Sequence, residues 1–388
     1  MRPSTLPARG RSAWFFLLAP VILAFATVAN GQTRDIMFSP FLDFYSENRL
    51  ALGAGGRGYA GVATSGDISA TLLNPASLQA DSALSFSFGY AYKSDLPWLR
   101  ELWADVGEMN VRMLNPCLLA GVGHRFGNSL QTGIVYYDRF SYRFDMGDQW
   151  HTGPNGEDLG RFHTYQDIRV SVVSIPLSYR LSDVLTLGLS ADLGFYRNVM
   201  HWSKTYSRSF WHGIPRMGLL VGPIQRMSLG MSFEPKTTAT YEYEIPSEYQ
   251  REDTDMLETL TNVFPARFSM GLAYQLPDRP LSLYLDFRHA WMSEIDHALK
   301  NRQDVHLGIE YETPSNTLRA GFFTLDDYRV GYYYALDSKA GSAHQYFLTA
   351  GITTKGRIPM TISIMDSHIL SRGEWKTTMV TVGFNFQR

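Results

Sequence analysis

Apolar and polar residues alternate one by one along several stretches of this chain. Between residues 185 and 195 the odd-numbered positions are Leu, Ala or Phe, and the even-numbered positions are Thr, Gly, Ser or Asp. The same two-residue period recurs at 227–234, 281–291 and 305–311. Successive side chains of a β-strand point to opposite faces of a sheet. The period therefore predicts strands that have one apolar face and one polar face.

About fourteen segments with this pattern follow the first 82 residues. They lie near residues 83–92, 116–126, 130–140, 167–180, 184–196, 215–222, 226–242, 263–275, 281–293, 304–312, 316–325, 344–354, 358–369 and 375–386. Most are close to the 9–11 residues with which a tilted strand crosses a bilayer, and an even number of strands is typical of bacterial outer-membrane barrels. The pattern predicts an all-β fold, a transmembrane antiparallel β-barrel of about 14 strands over residues 83–388.

The connections between these segments alternate between short and long. Short turns are predicted at 127–129, 181–183, 223–225, 277–280, 313–315 and 355–357, and longer links at 93–115, 141–166, 197–214, 243–262, 294–303 and 326–343. Outer-membrane barrels have short periplasmic turns and longer extracellular loops, whereas a soluble sandwich has no reason to sort its loops in this way. The alternation predicts that both termini are periplasmic.

Residues 1–31 have the features of a secretory signal peptide. Basic residues precede an apolar stretch at 14–28, and small residues at 29–31 offer a cleavage site before Gln32. An uncleaved anchor helix is the alternative. No later apolar run approaches the roughly 20 residues that a spanning helix needs, so the exported protein is either soluble or a membrane β-barrel.

The polar face of the predicted strands carries charged residues among Gly, Ser and Thr. These are Asp192, Glu234, Arg267, Asp286, Arg288, His306, Glu310 and Arg319. In a membrane barrel this face lines a wet lumen, whereas in a soluble barrel it faces outward. Periodicity alone does not separate the two arrangements. The loop pattern and the signal peptide favour charges in the lumen.

Composition excludes several other classes of function. The 388 residues contain 22 Tyr and 23 Phe, which suit a membrane–water boundary, and their 35 basic and 37 acidic residues give no reason to expect nucleic acid. Cys117 is the single cysteine, so no intramolecular disulfide can form. No metal-ligand spacing of His, no nucleophile elbow and no phosphate-binding loop occurs. The sequence therefore predicts no enzyme, no cofactor and no metal site.

A glycine-rich segment precedes the first predicted strand. Residues 49–78 read RLALGAGGRGYAGVATSGDISATLLNPASL. Such glycine density is unfavourable in a regular helix or strand, because each Gly costs about 0.5–1 kcal/mol relative to Ala there. Pro75 restricts Asn74 to an extended or turn conformation. We interpret the segment as a compact, irregular plug, with an ordinary loop as the alternative.

This segment resembles the N-terminal hatch of the FadL-type outer-membrane transport family and its PorV/PorQ relatives. Their pattern is close to R-A-x-G-M-G-G, an acidic pair among small residues, and N-P-A-x-L, which is matched by Arg49, Gly53, Gly55, Gly56, Asp67, Asn74, Pro75, Ala76 and Leu78. Ala54 replaces the usual Met, and the sequence T-S-G-D stands where many relatives have the acidic pair. The resemblance implies a periplasmic segment and hatch over 32–82, with the hatch inside the lumen. Its gating residues would be Gly53, Gly55, Gly56, Gly58, Asp67, Asn74, Pro75 and Ala76.

The resemblance implies two alternative functions in the outer membrane of a Gram-negative-type bacterium. One is a FadL-like channel for passive uptake of hydrophobic small molecules, of the long-chain fatty acid or hydrocarbon type, with outer-membrane lipid and the ligand as its partners. The other is a PorV-like barrel that acts in protein secretion or surface attachment by binding secretion-system proteins. The A-T-S sequence at 63–65 favours the second.

An amphipathic helix predicted at 94–110 favours the channel. It can either cap the barrel or form the place where ligand enters, and its apolar face would carry Leu99, Leu102, Trp103 and Val106. A second, shorter helix is predicted at 253–262, where Met256 and Leu260 are four residues apart. Pro176, in the strand predicted at 167–180, and Pro265, in the strand predicted at 263–275, are possible bends.

Overall fold

The computed structural model describes residues 33–34, 50–79, 83–93, 115–152, 158–201, 205–244, 257–294, 301–327, 343–356, 358–367, 369–370 and 378–387. The predicted signal peptide lies outside these residues. So does the helix predicted at 94–110, with its apolar residues Leu99, Leu102, Trp103 and Val106. Among the described residues, no helix is long and apolar enough to cross a membrane.

The described residues form strands that we number in chain order. They are β1 (Thr33–Arg34), β2 (Leu84–Lys93), β3 (Asn115–Phe126), β4 (Leu130–Thr152), β5 (Asp158–Ser182), β6 (Leu185–His201), β7 (Thr205–Ile224), β8 (Met227–Glu234), β9 (Thr237–Glu244), β10 (Leu257–Phe264), β11 (Arg267–Gln275), β12 (Leu281–Ala290), β13 (Arg302–Glu312), β14 (Asn316–Asp327), β15 (Ala343–Thr354), β16 (Met360–Asp366) and β17 (Thr378–Gln387).

Fourteen of these strands close into one antiparallel barrel. Each strand from β2 to β8, and from β11 to β17, pairs with the next along the chain, while β8 pairs with β11. The ring closes where β17 meets β2, with Gly383 opposite Gly89. Closure pairs the backbone groups of every strand and leaves no open edge, which a hydrocarbon environment requires. The predicted all-β, 14-stranded antiparallel barrel is confirmed.

Four strands are longer than the sequence pattern predicts. β4 continues to Thr152 instead of ending near residue 140, and β5 begins at Asp158 instead of 167. β6 and β7 extend in the same direction, into the predicted long links. In the extensions of β5, β6 and β7 polar residues occupy both faces, so the two-residue period fades there, whereas in the extension of β4 apolar residues at 142, 144, 146 and 150 still alternate with polar ones. The backbone ladder does not depend on that period and continues beyond it.

The exposure of alternate side chains shows which face of the wall points inward. Along β13, His306 and Glu310 are 0% and 8% exposed, whereas Leu307 and Ile309 are 45% and 48% exposed. The charged face therefore lines the lumen and the apolar face forms the outer surface. This confirms the predicted arrangement and excludes the inverted, soluble one.

The wall is interrupted where β8 ends, at Glu234, and where its partner β11 begins, at Arg267. The sequence predicts one continuous strand at 226–242, but β8 ends at Glu234, and Pro235 separates it from β9. On the partner strand Pro265 separates β10 from β11. Proline has no N–H to donate to a ladder, so the hairpin breaks at the same level in both strands. Beyond the break, on the side of the long links, β9 pairs with β10 and β10 pairs with β1, and these three strands form a separate sheet.

The β9–β10 hairpin packs against side chains that point into the lumen. Phe264 is 7% exposed, and its ring centroid lies 4.5 Å from that of His212 and 5.1 Å from that of Tyr196. The hydroxyl of Thr237 lies 2.9 Å from Nε2 of His212. The base of the hairpin therefore covers the lumen instead of continuing the wall.

Two sequence-based expectations change with this hairpin. The helix predicted at 253–262 is wrong for its described part, which is strand β10; the alternating β-branched residues of LETLTNVF favour a strand. The second expectation was that both termini lie at the end of the barrel that carries the short turns. Thr33–Arg34 pairs with β10 at the end of the barrel that carries the long links, whereas β17 ends at Gln387, beside Ser85, at the end that carries the short turns. The described ends of the chain thus lie at opposite ends of the barrel.

Candidate functional site

Residues 50–79, which we call the inner segment, lie inside the barrel. Leu50, Leu52, Val62, Ile68 and Ala76 are each at most 1% exposed. The segment has no α-helix and makes three short 3₁₀ turns, at Gly55–Arg57, Ile68–Leu72 and Pro75–Ser77. A compact, irregular segment is what its glycine content predicts.

Two polar residues begin two of these turns. Asp67 accepts a hydrogen bond from the backbone N–H of Ser69 at 2.7 Å, and Asn74 accepts one from the N–H of Ala76 at 3.0 Å. Asp and Asn are favoured at this position because the side-chain oxygen satisfies an N–H that the turn leaves unpaired. Pro75 follows Asn74 at the first position of its turn, where a missing N–H costs nothing.

Asn74 also joins the inner segment to the wall. Its Nδ2 donates to the carbonyl oxygen of Val62 at 2.8 Å and to that of Leu219, on β7, at 3.0 Å. Asn74 itself is 0% exposed. One amide therefore satisfies backbone groups in two parts of the inner segment and in the barrel.

The wall that faces the inner segment is lined by glycine. A Cβ atom added at Gly188 would lie 2.1 Å from the backbone nitrogen of Ala76, and one at Gly321 would lie 2.1 Å from that of Gly58. The wall glycines at which an added Cβ would lie within 2.9 Å of a backbone atom of the inner segment are Gly188, Gly218, Gly230, Gly271, Gly308, Gly321 and Gly351. Because these positions have no side chain, the inner segment lies directly against the backbone of the strands.

The predicted gating glycines differ in their surroundings. A Cβ at Gly55 would fall 2.4 Å from the hydroxyl of Ser363, and one at Gly56 would fall 2.6 Å from the Cα of Gly351. Gly58 adopts φ of 69°, a left-handed conformation that favours glycine. Gly53 differs, since a Cβ there would meet nothing within 4 Å.

Arg57 binds the inner segment to β13 through a buried ion pair. Its Nη1 lies 3.0 Å from Oε2 of Glu310, and Arg319 contacts the same carboxylate oxygen at 2.6 Å. The Arg57 guanidinium lies over the ring of Tyr284, at 4.3 Å from its centroid. Loss of Glu310 would leave the buried charge of Arg57 without this carboxylate, which is strongly destabilising.

Two further wall residues hold the backbone of the inner segment. Oδ2 of Asp286 accepts hydrogen bonds from the N–H groups of Gly61 at 2.8 Å and Val62 at 3.1 Å. Nδ1 of His306 lies 2.6 Å from the carbonyl oxygen of Gly58. The sequence predicted that these charged residues face the lumen, but it did not show that they bind the glycine-rich segment.

Two small cavities lie between the inner segment and the wall. The larger, of about 110 Å³, is lined by Leu72, Leu73, Arg216, Ser232, Glu234, Arg267, Ser269, Arg288, His289, Ala290, Arg302 and Asp304. The smaller, of about 90 Å³, is lined by Leu50, Ala51, Tyr59, Leu72, Leu73, Tyr137, Arg139, Arg216, Glu234 and Arg288. Within the part of the chain that the structure describes, no three His, Cys, Asp or Glu side chains are placed to hold a metal ion.

No protein-family model and no curated protein matches this chain. Solved structures do match it. The toluene transporter TbuX of Ralstonia pickettii aligns with a TM-score of 0.62 at 15% identity, over 89% of this chain and 99% of its own. The fold is FadL-like.

Two further structures with this FadL-like fold agree. The toluene transporter TodX of Pseudomonas putida aligns with a TM-score of 0.60 at 14% identity, over 92% of this chain and 98% of its own. A Pseudomonas aeruginosa FadL homologue gives 0.61 at 14% identity, over 88% and 99%. The family resemblance noted at 49–78 is thus confirmed at the level of fold over most of the chain.

The wall glycines of this FadL-like barrel generate the first testable prediction. We expect Gly188→Ala to displace the inner segment, because overpacking costs about 1–3 kcal/mol and its Cβ would lie 2.1 Å from the Ala76 nitrogen. Limited proteolysis of the purified barrel should then cleave within 50–79. Gly356→Ala, where a Cβ meets nothing within 4 Å, is the control and should stay protected. Equal protection of both variants would contradict close contact between the inner segment and the wall.

Asn74 generates a second prediction. Asn74→Ala should leave buried backbone carbonyls unsatisfied, at a local cost of about 1–3 kcal/mol. The barrel ladder is untouched, so the variant should insert and keep its heat-modifiable gel mobility. Hydrogen exchange within 60–79 should become faster, whereas Asn128→Ala, at an exposed turn, should leave it unchanged. Unchanged exchange in both variants would show that Asn74 does not hold the segment.

Proposed function

We propose that this chain is an outer-membrane channel for passive uptake of hydrophobic small molecules, without enzymatic activity. The observation that carries the proposal is the separate segment that fills the lumen of a FadL-like barrel. A barrel with an empty lumen would be an open pore. A barrel filled by the side chains of its own strands would contain no separate segment whose movement could open a path. TbuX and TodX are both toluene transporters, which supports the hydrocarbon type of ligand over the fatty acid type.

The outer surface supports a place in lipid. Apolar side chains that point outward along neighbouring strands are widely exposed, and they include Phe86 at 45%, Ile134 at 54%, Leu187 at 44%, Leu283 at 41% and Ile364 at 46%. Soluble monomers rarely expose an apolar patch larger than a few hundred Å². An apolar outer band and a polar lumen are typical of outer-membrane barrels.

We propose that the inner segment acts as the hatch of this channel. Its contacts with the wall include hydrogen bonds from Gly61 to Asp286 and from Asn74 to Leu219, and the ion pair of Arg57 with Glu310. Such contacts can be exchanged for water or for a ligand when the segment shifts. The glycine-lined wall has few side chains that would block a small displacement. A rearrangement of this kind is an established way to open a path.

The A-T-S sequence that favoured a partner-binding barrel has a role inside the inner segment. Ala63 is 3% exposed, and the hydroxyl of Thr64 donates to the carbonyl oxygen of Gly61 at 2.7 Å and accepts from Nη2 of Arg57 at 3.0 Å. These contacts within the inner segment explain why Ala63 and Thr64 stand at their positions, and the explanation needs no partner protein. Partner binding therefore remains only as an alternative outcome of the uptake experiment.

A third prediction concerns orientation. If the short turns are periplasmic, epitope tags inserted in 148–158 or 246–254 should bind antibody on intact cells. Tags at 182–183 or at 356 should bind only after permeabilisation, which also serves as the control that all tags are present. Labelling of both sets on intact cells would contradict the proposed topology.

A fourth prediction tests transport and the hatch together. Cells that express the intact protein should take up labelled toluene faster than cells without it, with no increase in uptake of polar antibiotics. Deletion of residues 50–79 should raise uptake of polar antibiotics, because the lumen face is charged and would fill with water. Gel mobility should show first that the deletion variant assembles.

The outcomes separate the proposals. A deletion variant that assembles yet stays impermeable to polar solutes would show that something else closes the lumen. Intact protein that does not accelerate uptake of toluene or of a long-chain fatty acid would overturn the channel. Partner binding would then be the better explanation of the barrel.

A further inference from the structure

The apolar outer band ends in an aromatic pair on strands β6 and β7, on the side of the long links. Within the band, Ile175 on β5, Leu193 on β6 and Met217 on β7 point outward and are 51%, 48% and 47% exposed. Beyond them on the same face, Phe195 and Trp211 are cross-strand partners whose ring centroids lie 4.8 Å apart, and Trp211 is 61% exposed. Aromatic side chains at such a place mark the interface between membrane and water.

Two arginines lie on the outer face just beyond this aromatic pair. Arg197 is the next outward residue after Phe195 on β6, and Arg169 on β5 lies directly opposite Arg197 in the ladder. Both side chains are exposed. Directly opposite residues of neighbouring antiparallel strands have Cβ atoms about 4.5–5.5 Å apart, and like charges at such a pair are unfavourable. A ligand that carries negative charge would relieve this repulsion.

No carboxylate pairs with these two arginines among the described residues. Asp167 is the next outward residue of β5, and it forms no ion pair there with Arg169 or Arg197. Asp138, on β4, accepts hydrogen bonds from the hydroxyl of Ser171 at 2.8 Å and from a backbone N–H of β3 at 3.0 Å. The arginine pair can therefore donate its hydrogen bonds to a ligand that approaches from outside the barrel.

The depth of the arginine pair in the membrane follows from the length of β5. The outward-facing Tyr179, 46% exposed, marks the opposite end of the band, and ten residues separate it from Arg169 along the strand. At about 3.3 Å per residue and a tilt of about 40°, this separation corresponds to about 25 Å along the barrel axis. The apolar band of an outer-membrane barrel has about the same height. The arginines therefore lie where lipid head groups begin.

We propose that Arg169 and Arg197 bind a phosphate group of a membrane lipid whose acyl chains lie along the outer band. The planar fork of Arg donates two parallel hydrogen bonds to a phosphate, and two adjacent forks can hold one phosphate between them. In the proposed orientation of the barrel, on which this inference rests, the long links are extracellular. The lipid then belongs to the outer leaflet, where lipid A, the phosphorylated glycolipid of lipopolysaccharide, supplies the phosphate.

The adjoining apolar surface favours a lipid over a free anion. A soluble phosphate would interact with the arginines alone, and exposed ion pairs contribute little because water and salt compete with them. A lipid adds contact between its acyl chains and the outward side chains of Val173 and Leu193, which are 37% and 48% exposed. Anchoring in the leaflet also raises the effective concentration of the phosphate at the arginines.

Binding of lipid A to the purified protein in detergent, measured by microscale thermophoresis, tests the proposal. Lipid A with its phosphates should bind at least about tenfold more tightly than lipid A from which they have been removed. The double substitution Arg169→Gln with Arg197→Gln should weaken binding of phosphorylated lipid A by about tenfold or more. Arg161→Gln is the matched control and should bind lipid A normally. Arg161 is an arginine on the same face of β5, its side chain is 61% exposed, and it lies eight residues beyond Arg169.

Each outcome decides for or against the site. Gel mobility should confirm that the double glutamine variant is folded, and the double lysine variant, which keeps the charge and loses the fork, should retain part of the affinity. Equal binding of lipid A with and without phosphate, or unchanged binding by the double glutamine variant, would overturn the proposal. An equal loss in Arg161→Gln would also overturn it, because the attraction would then be general. Inorganic phosphate that binds as tightly as lipid A would show a site for free anions instead of a lipid site.

Two further results separate this inference from the proposed function. Phosphatidylglycerol that binds more tightly than lipid A, through the same arginines, would overturn both the assignment to lipid A and the proposed orientation. Toluene uptake by cells, with no binding of lipid A to the purified protein, would overturn the lipid site and leave the channel standing. Lipid A binding by a protein that takes up no hydrophobic compound would overturn the channel and leave the lipid site standing.

Discussion

The structure depends on the close contact between the inner segment and the barrel wall. Barrels of about eight strands are just wide enough for their own side chains to fill, and fourteen strands enclose a wider lumen. Another part of the chain must fill that space if the barrel is to be closed. The wall glycines, such as Gly188 and Gly321, allow the inner segment to lie against the strands backbone to backbone.

The polarity of that contact follows from the outer surface. Strands alternate their side chains, so a wall that is apolar toward lipid is polar toward the lumen. Any segment inside must then satisfy buried polar groups, or lose stability for each one left unpaired. Asp286 and His306 meet this requirement with backbone groups of the inner segment, and Glu310 meets it with Arg57. The inner segment is irregular because its backbone groups bond to the wall as well as to each other.

The sequence predicts the barrel well because period-two alternation is a local signal, and it predicts the inner segment from its glycines and the N-P-A sequence. It does not predict which residues meet. Arg267 and Glu234 are neighbours only because β11 pairs with β8 in one register, and Arg216 and Arg302 reach the same cavity from β7 and β13. The inward β9–β10 hairpin was missed for a similar reason: Pro265 signals a bend, but the direction of the bend depends on the packing of Phe264 against His212 and Tyr196.

Arg216 connects the cavity to the inner segment. Its Nη1 donates to the carbonyl oxygens of Thr71 at 3.0 Å and Leu72 at 3.1 Å, while its Nε lies 2.8 Å from Asp192. A ligand that accepts hydrogen bonds from Arg216 would compete with those carbonyls for the same guanidinium. A ligand shifts a conformational equilibrium only as far as it binds one state better than the other. A ligand that draws Arg216 away from Leu72 would bind best where the turn at Ile68–Leu72 has moved, so its binding would favour displacement of the inner segment.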